Sequence, residues 1–330
     1  MTKIERDDIQ IISQHSNWSE KSIDKILKQQ IYSTKESWQK FLKLFFISLG
    51  ISFTTAGIIF FFAYNWADLH KFIKIGVIEC LVVMTTLIVL FSKTSLTIKN
   101  ALLTGASILV GVLFAVFGQI YQTGANAYDF FLGWTLFITL WVVISNFVPL
   151  WLVYIILINT TLVFYFQQVA YCPEIYLYTL FSVINLIFLI SCLLVKKNFK
   201  GIRPPIWFTN LIALASVTLG TIGIVRGIFE HRKILTHGDY LTPIMLEIVA
   251  FTAIIYGIGI MYGLKVKSGF YLALISFSVI VSISTFIISY IDFNTIFDNA
   301  SLFLALSLFV IVSVTITIIT LNNLQRKWKN

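Results

Sequence analysis

Residues 101–148 read ALLTGASILVGVLFAVF, then GQIYQTGANAYD, then FFLGWTLFITLWVVISNFV. Two apolar runs, 101–117 and 130–148, flank a stretch in which nearly every side chain is small or hydrogen-bonding. A helix rising 1.5 Å per residue needs about 20 apolar residues to cross about 30 Å of hydrocarbon. Both runs have that length, so the segment predicts two membrane-spanning helices joined by a turn.

The turn itself is unusual in kind. Gln119, Tyr121, Gln122, Thr123, Asn126, Tyr128 and Asp129 supply donors and acceptors, with no Lys or Arg among them. Gly118 and Gly124 bracket its centre and let the backbone leave a helix. Two readings follow. The helix end bends inward after Gly118 and lines a polar cavity, or the stretch is a capped, solvated external turn. In the first, Glu79, Gln119, Tyr121, Gln122, Asn126 and Asp129 form an outward-facing polar cavity, with Gln119, Tyr121 or Gln122 reaching Glu79.

The same apolar pattern extends through most of the chain. Of 330 residues, 58% are hydrophobic and only 12% are charged, against roughly 25% charged in an average globular chain. The expected fold is all-α, a polytopic integral membrane helix bundle. Its spans fall near 44–64, 72–91, 101–118, 130–148, 150–169, 176–195, 206–229, 243–264, 270–290 and 302–322. Pro149 separates the fourth and fifth, because their combined apolar length is about twice what one bilayer crossing needs. Ten spans divide into two fives of opposite orientation, the arithmetic of inverted-repeat transporters, yet no motif in 176–322 mirrors Gly118–Asp129.

Residues 1–43 read as a helical appendage at the cytoplasmic face or membrane interface. Asn17 with Glu20, and Ser33 with Glu36, have the spacing of capping boxes. The segment lacks the apolar core of a cleaved signal, so the first span is expected to act as an uncleaved insertion signal. Residues 323–330 form a basic tail.

Basic residues set the orientation. With the N-terminus inside, nineteen of the 24 Lys and Arg fall on the cytoplasmic side. Only Lys71, Arg232 and Lys233 fall in outer loops. Both termini are therefore expected to be cytoplasmic. The net charge of +9 belongs to this asymmetry, and nucleic acid is not an expected partner.

Four ionisable residues interrupt the spans: Lys74, Glu79, Arg226 and Glu247. A charge at a helix centre costs on the order of 2.5–3.5 kcal/mol, so each needs a compensating contact or an interfacial position. Lys74 is expected at the interface, snorkelling outward. Glu79 lies deeper. Arg226 and Glu247 end and begin sequential spans, where an ion pair across the hairpin is natural. Asn159 and Asn185 lie near mid-span and suit interhelical hydrogen bonds. Gly223–Gly227 and Gly259–Gly263 have the small-xxx-small spacing of closely packed membrane helices.

No catalytic motif is present, neither His-Glu-x-x-His, a phosphate-binding loop nor a Gly-x-Ser-x-Gly elbow, so no enzyme is expected. Cys80, Cys172 and Cys192 are scattered and odd in number, which argues against a disulfide framework. Glu230, His231, His237 and Asp239 share one outer loop without a ligand-like spacing, so neither metal nor cofactor is expected.

Three strings resemble a known family: FAYNWADL at 62–69, Lys74 with Glu79, and FGQIYQTGA at 117–125 followed by Trp134. They are similar to the bacterial membrane proteins grouped as domain of unknown function 2157, over about residues 1–165. Asn126 stands where that family usually has an acidic residue. The resemblance implies a multi-pass protein of the bacterial inner membrane and carries no activity with it. The function expected is that of a transporter or solute-binding membrane protein of unspecified substrate. The alternative is a non-catalytic scaffold or accessory subunit that acts through a partner membrane protein or a second copy within the lipid bilayer.

Overall fold

A computed structural model of the chain describes residues 19–27, 35–64, 69–121, 124–170, 174–198, 204–235, 243–290 and 299–329. Among the described residues there are helices and no strand. In chain order they are α1 (Glu20–Ile26), α2 (Lys35–Tyr64), α3 (Lys71–Phe91), α4 (Leu96–Tyr121), α5 (Ala127–Ser145) and α6 (Val148–Gln168). Then follow α7 (Glu174–Asn198), α8 (Ile206–Leu235), α9 (Pro243–Val266), α10 (Gly269–Tyr290) and α11 (Asn299–Lys329). All but α1 are long and apolar enough to cross a membrane. The protein is a multi-pass membrane protein, as its apolar runs predict.

The helices depart from the expected spans mainly at their ends. Helix α2 begins at Lys35, so the expected boundary at 43 falls inside one continuous helix. Glu36 occupies its first turn, where a carboxylate suits the helix dipole. Helix α11 likewise runs through the basic tail to Lys329. Ser19 precedes α1, and its hydroxyl accepts the Ser22 N–H at 3.4 Å; Asn17, the expected cap, lies outside the described residues. The break between the fourth and fifth spans falls at Asn146, which adopts φ +46°. A left-handed Asn ends α5, while Pro149 sits in the first turn of α6, where its missing N–H costs nothing.

The chain divides into two compact units. The first comprises residues 1–125 and 133–150, and the second comprises 126–132 and 151–330. Within the first, α4 is central and packs against α2 and α3. Its inward face carries Ala101, Ala106, Ser107, Val110 and Gly111, small residues that bring the neighbouring helices close.

Within the second unit, α8 is central, against α7, α9 and α10, and α11 packs on α10. Ser182 on α7 and Ser216 on α8 each donate a hydroxyl to the other's carbonyl, at 2.7 and 2.8 Å. A Cβ on Gly220, one turn along α8, would meet the Ser182 hydroxyl at 2.9 Å, so glycine is what lets the two backbones approach. Gly259 and Gly263 on α9 face Ile275 and Leu272 of α10. Large apolar side chains such as Phe303, Leu304 and Ile311 on α11 are exposed. In a bilayer that exposure faces hydrocarbon and incurs no hydrophobic cost.

Candidate functional site

The stretch 118–129 folds as a capped turn among its described residues. Helix α4 does not break at Gly118 but continues to Tyr121, since the residues on both sides favour helix enough to absorb one glycine. Gly124 takes φ +65°, and α5 then opens behind Asn126. The Asp129 carboxylate accepts the Asn126 N–H at 3.1 Å, and the Asp129 N–H returns to the Asn126 carbonyl at 3.1 Å. That is a reciprocal cap, with Asp in the place usually held by Glu. The side-chain oxygen of Gln168, at the end of α6, accepts the Tyr128 N–H at 3.2 Å. Three of the four N–H groups that a helix start leaves open, those of Asn126, Tyr128 and Asp129, are thus satisfied.

The other expected cavity residues are placed as follows. Gln119 and Tyr121 belong to the first unit and are exposed, whereas Asn126 and Asp129 group with the second. Gln122 lies outside the described residues. Glu79 is exposed on α3, and among the described residues no hydrogen bond joins it to Gln119 or Tyr121. Lys74, expected to snorkel, is instead buried at 8% exposure. Positions five apart on a helix point about 140° from each other, so α3 turns one of these groups inward and the other outward. Arg226 and Glu247 are exposed on α8 and α9, which pack together. The side chains of Glu230, His231, His237 and Asp239 lie outside those described. Among the described residues no cluster of His, Cys, Asp or Glu could hold a metal.

The feature that sequence reading did not supply is a cavity within the second unit. It has a volume of about 710 Å³ and lies between α6, α7 and α8. Leu152, Ile156, Phe164, Phe181 and Leu211 contribute to an apolar wall. Its polar side chains among the described residues are Asn159, Thr160, Asn185 and Thr218, and no described ionisable residue lines it. Asn159 and Asn185 were expected to bond between helices, and they do. The Asn185 amide donates to the Asn159 oxygen at 2.8 Å, and the return bond is longer, 3.4 Å. Each amide also donates to a carbonyl one turn back in its own helix, Ile155 and Phe181, both at 2.8 Å.

A second polar group in the core holds three helices together. The hydroxyls of Thr221 on α8, Tyr256 on α9 and Ser278 on α10 are buried within hydrogen-bonding reach of one another, with Thr221 to Tyr256 at 3.2 Å. Thr221 also donates to the Val217 carbonyl at 2.7 Å. These partners satisfy one another in a dry core, which suits a structural clasp. Hydroxyls at such positions carry no marker in the sequence, because Ser and Thr commonly bond to their own helix.

No curated protein and no solved structure matches the chain. The resemblance read from the sequence is borne out over residues 18–151, which contain α1 to α5 and match the family model described as "Predicted membrane protein (DUF2157)".

Proposed function

We propose that the protein is a solute-binding membrane protein, of transporter type, in the bacterial inner membrane, and that it holds an apolar small molecule between α6, α7 and α8. One observation carries this reading: a cavity of about 710 Å³ with an amide pair in its predominantly apolar wall. Ligand sites are typically about 300–1,000 Å³, mostly apolar, with a few polar groups that orient the ligand. This cavity has that size and that chemistry. It is preferred over the polar cavity expected around Glu79 because Glu79, Gln119 and Tyr121 are exposed and unlinked among the described residues.

The test is photoaffinity labelling in lipid nanodiscs with a hexadecanol carrying a diazirine in its chain, mapped by mass spectrometry. Labelling concentrated on peptides of α6, α7 and α8 supports the reading. Helix α11 serves as the control, because its span has no buried residue. Labelling of α11 as strong as that of α6–α8 would show only bulk lipid contact. The competing proposal, a scaffold acting through a partner protein or a second copy, would then take precedence.

A further inference from the structure

We infer that the ligand of this cavity is a neutral molecule that presents a hydrogen-bond donor, a hydroxyl or an amide N–H, to the Asn159 oxygen. The inference rests on the binding role proposed for the cavity and goes on to name its ligand class.

The argument is a count of protons and lone pairs. An Asn amide has two N–H donors and one oxygen with two lone pairs. Both donors of Asn185 are committed, one to the Asn159 oxygen and one to the Phe181 carbonyl. Both donors of Asn159 are committed as well, to the Ile155 carbonyl and, at 3.4 Å, to the Asn185 oxygen. Neither amide can be flipped without setting its oxygen against a backbone carbonyl, so the identity of the inward atoms is fixed by the helices themselves.

The two oxygens are not filled. Each accepts one bond from the other amide, which leaves one lone pair on each. Asn185 is almost fully buried, at 2% exposure, whereas Asn159 is only partly buried. Asn159 is thus the acceptor within a ligand's reach, and Asn185 stands behind it as the group that fixes its orientation. Thr160 has spent its proton on the Ile156 carbonyl at 2.9 Å. Among the described polar side chains of the wall, only the Thr218 hydroxyl makes no recorded bond.

A ligand offering only acceptors, such as an ester or an ether, would leave the Asn159 lone pair unmet and would find, among the described side chains of the wall, only the Thr218 hydroxyl as a donor. A ligand offering a hydroxyl or an amide N–H completes the Asn159 lone pair. A cation would donate too, but among the described residues no carboxylate lines the cavity to offset its desolvation. The donor is therefore uncharged.

The experiment compares two competitors against the diazirine hexadecanol in nanodiscs: 1-hexadecanol and hexadecyl methyl ether. They share chain and oxygen, and in the ether a methyl group replaces the hydroxyl proton. In the wild-type protein the alcohol should displace α6–α8 labelling about tenfold better than the ether, the order expected for one hydrogen bond in a dry site. Asn159→Leu should remove that difference. Circular dichroism and gel filtration check that the variant folds, and the wild-type comparison stands without it. Equal competition by alcohol and ether would overturn the inference while leaving binding in place. Absence of selective α6–α8 labelling would instead overturn the binding role itself, and the ligand class with it.

Discussion

The indole N–H of Trp134 donates to the Ser107 carbonyl at 2.7 Å, and the ring lies across Gly111, one turn further along α4. A Cβ at residue 111 would sit 2.5 Å from the ring carbons. The contact between α4 and α5 in the first unit is thus one large side chain seated where the facing helix has none. Gly111→Ala forces the ring to move and should destabilise the protein by roughly 1–3 kcal/mol. Trp134→Phe, which keeps a ring but loses the N–H, should cost about 1 kcal/mol plus some lost packing. Unfolding in mixed micelles measures both, and an unchanged Gly111→Ala midpoint would show that the ring does not rest there.

The reciprocal bonds of Asn126 and Asp129 lead to a second expectation. Removing the Asp129 carboxylate leaves the first N–H of α5 without its partner, at a cost of about 0.5–2 kcal/mol. Asp129→Asn keeps an acceptor oxygen and should recover part of that loss. Faster amide exchange at Asn126 and Tyr128 in Asp129→Ala, with α9 and α10 unchanged, is the signature of a local cap. Slowing of exchange or no change would point to another role for the carboxylate.

The spans were legible because apolar length alone decides them. Their ends were less so, since several depend on single backbone conformations. Pro149 is the visible breaker in the sequence, yet the chain turns at Asn146, whose side chain tolerates a left-handed backbone. Asn159 and Asn185 announced themselves as polar residues in apolar helices, and the interhelical bond between them was readable. The space beside them was not. Periodicity gives each helix an apolar circumference, and in a bilayer nearly every face qualifies, so sequence does not say which faces meet and which leave a gap. The hydroxyl groups of Ser182, Ser216, Thr221 and Ser278 were hidden for a related reason, because their partners lie 22 to 57 residues away along the chain.

Orientation is an expectation carried by charge. The ten apolar spans among the described residues would put both ends of the chain on the same side, and nineteen of 24 basic residues select the cytoplasm for it. Reporter fusions after Asn330 should be active as cytoplasmic reporters, and insertions within 236–240 should be active as external ones. A periplasmic C-terminus would invert the whole assignment.

Arg226 and Glu247 are both exposed, on helices that pack together. Both lie close to the ends of their spans, where interfacial water screens an ion pair, so the coupling from a double-mutant cycle should stay below about 1 kcal/mol. Arg226→Gln and Glu247→Gln are the choices, since each loses its charge and stays polar, Glu247→Gln keeping the length as well. A coupling of about 3 kcal/mol or more would mean that the pair is enclosed within the membrane after all.

Helix α3 presents the sharpest contrast in the chain. Lys74 is buried within the first unit, while Glu79, five residues on, is exposed about 12 Å along the helix from Lys71. Lys74→Ala should therefore destabilise the first unit, because the side chain is packed and makes contacts there. Glu79→Leu should leave that unit's stability intact, and should ease insertion, since a central carboxylate costs on the order of 2.5–3.5 kcal/mol in hydrocarbon. Accessibility decides what Glu79 faces. With Cys80 and the other cysteines replaced, a Glu79→Cys protein should resist a membrane-impermeant maleimide and react with a lipid-soluble one. Rapid reaction with the impermeant reagent would place water at Glu79 and revive the polar cavity that the sequence suggested, with Gln119 and Tyr121 as its natural rim.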